Sequence, residues 1–205
     1  MLIIKSKYKI AKRLGAGIFE QTQTQKLSLS EARSQGNKQR GGRRGGSDYG
    51  RQLLEKQRVR FTYGLSERQF SSYVEAATHA PLPSAALHKL LEMRIDNTIY
   101  RAGLASTRRA ARQAVSHGHI LINGRRITSP SHAIREGDTI TVREGSSKSS
   151  LFTSLSERAP DERRAAPRWL EVDLGLLVVK VVGVPLYQST EVGLDYSTVF
   201  EFYSR

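Results

Sequence analysis

The sequence predicts an α+β protein. A helical N-terminal domain with a basic extension, completed by the C-terminal segment, accompanies an inserted domain of two helices and a small antiparallel sheet. Three observations predict it. Between Leu87 and Ile99 apolar residues recur mostly at spacings of three and four, the helical period. Asn123–Gly124 lies between alternating apolar residues, a hairpin signature whose type I′ turn needs positive φ at both centres. The charge is also uneven. The 205 residues hold 33 Lys+Arg and 19 Asp+Glu, a net of +14. Residues 1–60 carry a net of +11, 61–145 a net of +4 and 146–205 a net of −1.

The composition excludes several classes. With no cysteine there is no disulfide framework, thiolate metal site or cysteine nucleophile. The longest apolar run, Leu174–Val184, is broken by Gly175, Lys180 and Gly183 and is too short for a bilayer, which takes about 20 residues. No secretory leader is expected, because the opening apolar patch is only three residues long. An excess of positive charge points to a polyanion, nucleic acid before an anionic membrane surface.

Residues 1–50 read as a basic extension. Within it Ser34–Gly50 is a Gly/Arg/Gln stretch without apolar periodicity, either a solvated linker or an arm that orders along phosphates through Arg40, Arg43 and Arg44. Gln52–Arg60 is expected to be a short basic helix stopped by Gly64, and Ser66 to cap a helix over Glu67–Ala77. Pro81 and Pro83 mark a linker and a boundary, so the helical domain spans 51–83, with 150–205 expected to pack back on it.

From Ser84 one helix is expected to run to Ala102, with Gly103 as its stop. Ser106 is the expected cap of a second helix, Thr107–His117, closed by Gly118. The hairpin Ile120–Ile127 follows, then a strand over Thr139–Arg143, so 84–145 reads α-α-β-β-β. Gly145–Ser150 reads as a linker. In the segment 146–205 a helix to about Ala166, a strand at Trp169–Val172 and a buried strand within Leu176–Val182 are expected.

The functional signal is the second helix with the hairpin. Arg108 and Arg112 are four apart, as are Arg109 and Gln113, and Arg125 and Arg126 flank the turn. Five arginines fall within nineteen residues with no acid between them. Guanidinium groups beside a helix N-terminus suit phosphates. His117 and His119 lack metal spacing and read as RNA-facing or capping.

These residues resemble a known family. Ala105–Gly124 is similar to the core of the RNA-binding module named after ribosomal protein S-four, and Gly137–Val142 to its closing strand. Tyr49–Gly64, Glu67–Phe70, Leu91–Arg101 (LEMRIDNTIYR), Pro167–Asp173 and Glu201–Arg205 resemble the flanking parts of that ribosomal protein family, bacterial or organellar type. The resemblance covers essentially the whole chain. It implies a structural constituent of the ribosome, located in the small subunit of a cytoplasmic or organellar ribosome. Such a protein binds small-subunit ribosomal RNA early, nucleates assembly and contributes to translational accuracy. The implied partners are that RNA, a neighbouring protein (S-five) and messenger RNA where it enters. Neither cofactor nor metal is expected, since the four cysteines by which some members bind zinc are absent.

The candidate RNA-binding residues fall in three groups. Lys5, Lys7, Lys9, Lys12, Arg13, Arg40, Arg43 and Arg44 lie in the extension. Tyr49, Arg51, Lys56, Arg58 and Arg60 lie on the basic helix. Arg101, Ser106, Thr107, Arg108, Arg109, Arg112, Gln113, His117, His119, Asn123, Arg125 and Arg126 belong to the module. The start at Lys5–Lys9, the Gly-rich Ser34–Gly46 and the apolar 174–184 run depart from the family pattern.

Two alternatives carry the same module. A pseudouridine synthase-like enzyme would show Gly-Arg-Leu-Asp, but Gly193–Leu194–Asp195 lacks the arginine and any surrounding catalytic domain. A free-standing stress protein would lack the flanking matches. No catalytic activity is expected.

Overall fold

A computed structural model describes residues 6–25, 29, 47–147, 149, 151–152, 165–188 and 193–204. The chain divides into two compact units. One comprises residues 1–87 with 188–205, the other residues 88–187.

The first unit is helical. Helix α1 (Lys7–Leu14) is followed by two short 3₁₀ turns, Ala16–Ile18 and Glu20–Thr22. Helix α2 (Asp48–Thr62) is longer at both ends than the predicted basic helix, because Ser47 caps it by accepting from the Gly50 amide. Helix α3 (Glu67–Thr78) opens on the expected Ser66, in a capping box with Gln69. Helix α8 (Tyr196–Tyr203) is capped by Asp195 and packs on α2. The hydroxyls of Tyr63 and Tyr196 lie 3.2 Å apart, and Gln52 Nε2 donates to Glu201 at 3.0 Å.

The second unit is a sheet with helices on its inner face. Its sequence begins within helix α4 (Pro83–Glu92), whose first residue is a proline, where the missing N–H costs nothing. Helices α5 (Ile95–Arg101) and α6 (Arg108–Ser116) come next. The strands are β1 (Ile120–Ile122), β2 (Arg125–Ile127), β3 (Thr139–Val142), β4 (Leu170–Asp173) and β5 (Val178–Val181), with a single helical turn α7 (Glu144–Ser147) after β3. The strand order is β2-β1-β3-β5-β4, antiparallel throughout. Ile120, Ile122, Ile140, Val142, Val179, Val181 and Leu170 point inward and join Ile95, Ile99, Ala111, Val115 and Trp169 in one core.

Five sequence expectations change. The single helix over 84–102 is two. Arg94 is extended and bridges Ala133, Ile95 N–H donates to the His132 carbonyl at 2.9 Å, and Ile134 N–H to Met93 at 2.9 Å. These contacts supply partners for the backbone that leaves the helix. Ser106 does not cap α6. Thr107 does, accepting from Ala110 N–H at 3.1 Å. Gly145–Ser150 is not all linker, since Ser146 is buried in α7.

The segment 150–205 does not all return to the helical domain. Residues 170–181 extend the sheet, with Ile140 opposite Val179, while α8 packs on α2. This explains the apolar 174–184 run in part. Strand β5 lies between β3 and β4 and alternates, with Val179 and Val181 in the core and Lys180 exposed. The boundary falls at Leu87 and His88 rather than near Pro83. The helix expected before Ala166 lies mostly outside the described residues.

Candidate nucleic-acid interface

The heart of the module is a buried polar network built by Leu91–Arg101. Glu92, Arg94, Asp96, Asn97 and Thr98 are all at most 3% exposed. Arg94 clamps Asp96 through two bonds, 3.0 and 2.8 Å. Arg101 clamps Glu92 in the same way at 2.7 and 2.8 Å. Asn97 donates to Glu92 Oε2 at 2.9 Å, and its own side-chain oxygen accepts from Arg108 Nε at 2.8 Å. Arg112 reaches Asp96 Oδ2 at 2.7–2.8 Å. Burial would raise the Glu92 pKa, but the Arg101 hydrogen bonds and charge, with Arg108 and His88, hold it down to about 2. Bidentate guanidinium–carboxylate geometry with both oxygens of each carboxylate engaged is what makes such buried ions tolerable.

This network gives three of the candidate arginines partners inside the fold. Arg101 and Arg112 are neutralised by buried carboxylates, and Arg108 is held between Asn97 and the face of Tyr100, 4.2 Å from the ring centroid. They anchor α6 and the α4–α5 corner. The reason is helical phase: Arg108 and Arg112 share the face turned to α5, while Arg109 and Gln113 share the exposed one.

The outward surface comprises Arg109, Gln113, Ser116 and His117 on and just past α6, with Arg125 and Arg126 on β2, all exposed. The helix and hairpin are tied together. Arg126 lies across Gly118 (φ +72°) and donates to the His117 carbonyl at 3.2 Å. A Cβ at residue 118 would fall 2.6 Å from Arg126 Cζ. Asn123 and Gly124 have φ +49° and +76°, as the predicted turn requires. The Asn123 amide is engaged within the fold, donating to Asp138 at 2.8 Å and accepting from Thr139 N–H at 2.9 Å. Within the fold it locks the turn. His119 Nδ1 lies 2.9 Å from Ser146 Oγ, and its ring meets His117 and Phe152 edge-on. Ser106 is exposed beside the capping Thr107.

The helical unit sorts its cations likewise. Lys56, expected on the basic rim, is buried, pairs with Glu67 and lies 4.5 Å from the Phe202 ring centroid. Arg60 is 3.6 Å from Glu67 and stacks on Phe61. Tyr49 packs on Phe202 at 5.7 Å. Arg51 and Arg58 make exposed or half-exposed pairs with Asp48 and Glu55. Lys7 bonds Gln21, while Lys9, Lys12 and Arg13 are exposed along α1. Lys5, Arg40, Arg43 and Arg44 lie outside the described residues.

Sequence reading missed the acidic partners. Glu92, Asp96 and Asn97 were legible only as helix residues, although three polar side chains amid an apolar repeat were a signal of internal pairing. Among the described residues no group of three or more His, Asp or Glu could hold a metal, and no helix is long and apolar enough to cross a membrane.

Comparison with known proteins decides the family. Residues 3–93 match the ribosomal protein S4/S9 N-terminal domain, and residues 93–140 match the S4 domain. The chain is 42% identical over 199 residues to the small ribosomal subunit protein uS4 of Roseiflexus sp. (strain RS-1), covering 96% of each chain. It is 40% identical over 201 residues to the protein of the same name from Borrelia duttonii (strain Ly), covering 98% of this chain and 96% of that one.

The chain belongs to the uS4 family.

Membership accounts for the architecture. The junction of the two matched regions at residue 93 falls where the chain leaves α4, and the S4 domain match contains α5, α6 and the first strands. The Leu91–Arg101 segment thus supplies internal ion pairs that hold the arginine helix in place.

Proposed function

We propose that the chain is a structural, non-catalytic constituent of the small ribosomal subunit, binding small-subunit ribosomal RNA through the exposed face of α6 and the β1–β2 hairpin. The observation that carries this is family membership over nearly the full length, together with an outward cationic face. Arg109, Arg125 and Arg126 supply the charge, and Gln113 and His117 supply further polar contacts. Arg108, Arg112 and Arg101 serve as scaffold. Folded RNA is recognised through shape and phosphates, which suits guanidinium groups on a rigid platform.

The exposed cations of α1 and the arm residues Lys5, Arg40, Arg43 and Arg44 add phosphate contacts in this reading. In this reading, which the uS4 relationship supports, the protein also nucleates assembly, contributes to decoding accuracy, touches S-five and lies near entering messenger RNA. The protein should sediment with the small subunit at moderate salt. The purified chain should bind a transcript of the five-prime domain of small-subunit ribosomal RNA, with log K falling linearly in log salt. Arg109→Gln should shallow that slope by about 1. An unchanged slope would remove α6 from the interface.

A further inference from the structure

Three side chains lie on the outer face at one corner of the sheet. Arg143 N–H donates to the His119 carbonyl at 2.8 Å, one step beyond the Ile120–Val142 pair, so His119 and Arg143 are cross-strand neighbours. Ile120 and Val142 point into the core, so strand alternation sends His119 and Arg143 to the opposite face. Arg126 stands opposite Leu121 on that same face, and its guanidinium runs back over Gly118 to the His117 carbonyl.

We propose that Arg143, His119 and Arg126 form a phosphate-binding site for RNA at this corner. The site rests on the RNA-binding reading above and adds a contact from just past β3 that no residue of α6 or the hairpin supplies. Among the described residues the guanidinium groups that bear on His119 are those of Arg143 and Arg126. The His119 pKa is lowered first by burial and then by His117, Arg143 and Arg126. The Arg143 and Arg126 charges repel one another, and an arriving phosphate would relieve that repulsion.

The donors are prepared for it. Arg126 covers the exposed carbonyl end of α6, the negative end of the helix, so that end does not oppose an anion. When the Ser146 hydroxyl donates to His119 Nδ1, the ring proton sits on Nε2 and is available as a donor. The Arg143 side chain is exposed and makes no hydrogen bond or ion pair among the described residues. Its planar fork is therefore free to take two phosphate oxygens.

The test compares the full-length chain with Arg143→Gln, Arg143→Lys and Arg109→Gln on a five-prime-domain ribosomal RNA transcript across a salt series. Arg143→Gln should weaken binding roughly three- to tenfold and reduce the log K versus log salt slope by about 1, and Arg143→Lys should restore most of the slope. Its thermal melt should match wild type, which separates lost contact from lost fold. If Arg143→Gln binds as wild type does while Arg109→Gln is weakened, the corner site is overturned and the RNA-binding reading stands. If wild type itself does not bind the transcript, both fall. If Arg143→Gln binds RNA normally yet fails to sediment with the small subunit, the corner faces an acidic protein surface and the phosphate assignment is wrong.

Discussion

Glu92→Gln isolates the network that holds the arginine helix. The side chain is 1% exposed, takes two hydrogen bonds from Arg101 and one from Asn97, and sits close to Arg108. Its carboxyl titrates at about 2 in the fold against an ordinary 4.5. That lowering corresponds to ~3 kcal/mol of folding stability held by the charged form. A group whose folded pKa is depressed contributes fully above its unfolded pKa and loses the contribution as pH falls toward the folded one. Glutamine mimics the neutral acid in shape and leaves the Arg101 guanidinium without its counter-charge. The variant should therefore be ~3 kcal/mol less stable at pH 7, with the gap closing by about 2 kcal/mol by pH 3. Urea unfolding followed by fluorescence reads this directly, because the single tryptophan, Trp169, lies in the core of the same unit. A loss below about 1 kcal/mol at pH 7, or a gap that does not narrow with acid, would show that burial and attraction nearly cancel and that the network does not anchor α6.

Two further substitutions test the local geometry. Gly118→Ala places a Cβ at positive φ against the Arg126 guanidinium, so it should cost about 1–2 kcal/mol and weaken RNA binding more than its stability loss explains, as judged by melts and filter binding. Thr107→Ala removes the cap of α6 and should cost about 1 kcal/mol by denaturant unfolding, with the RNA salt slope unchanged because no charge is lost.

Much of the fold was legible because it is local. Ser66 capped its helix, Asn123–Gly124 made its turn and Gly118 ended its helix, each through residues within four positions of one another. The break at Met93–Arg94 was not legible, because it depends on pairing with residues 132–134, some forty positions away. Nor was the place of β4 and β5. An apolar run reads as a buried strand wherever it goes, and only the register with β3 says which sheet receives it.

The candidate site divides in the same way. By itself the sequence determined that a cluster of arginines lies on a helix beside a hairpin, and which family bears that pattern. Counting charge treats Arg108, Arg109 and Arg112 alike. The tertiary structure separated them: Asp96 and Asn97 from α5 claim Arg112 and Arg108, while helical phase leaves Arg109 outside. The physical reason is that a charge acts on what it faces, and facing is decided by long-range contacts that no spacing along the chain records.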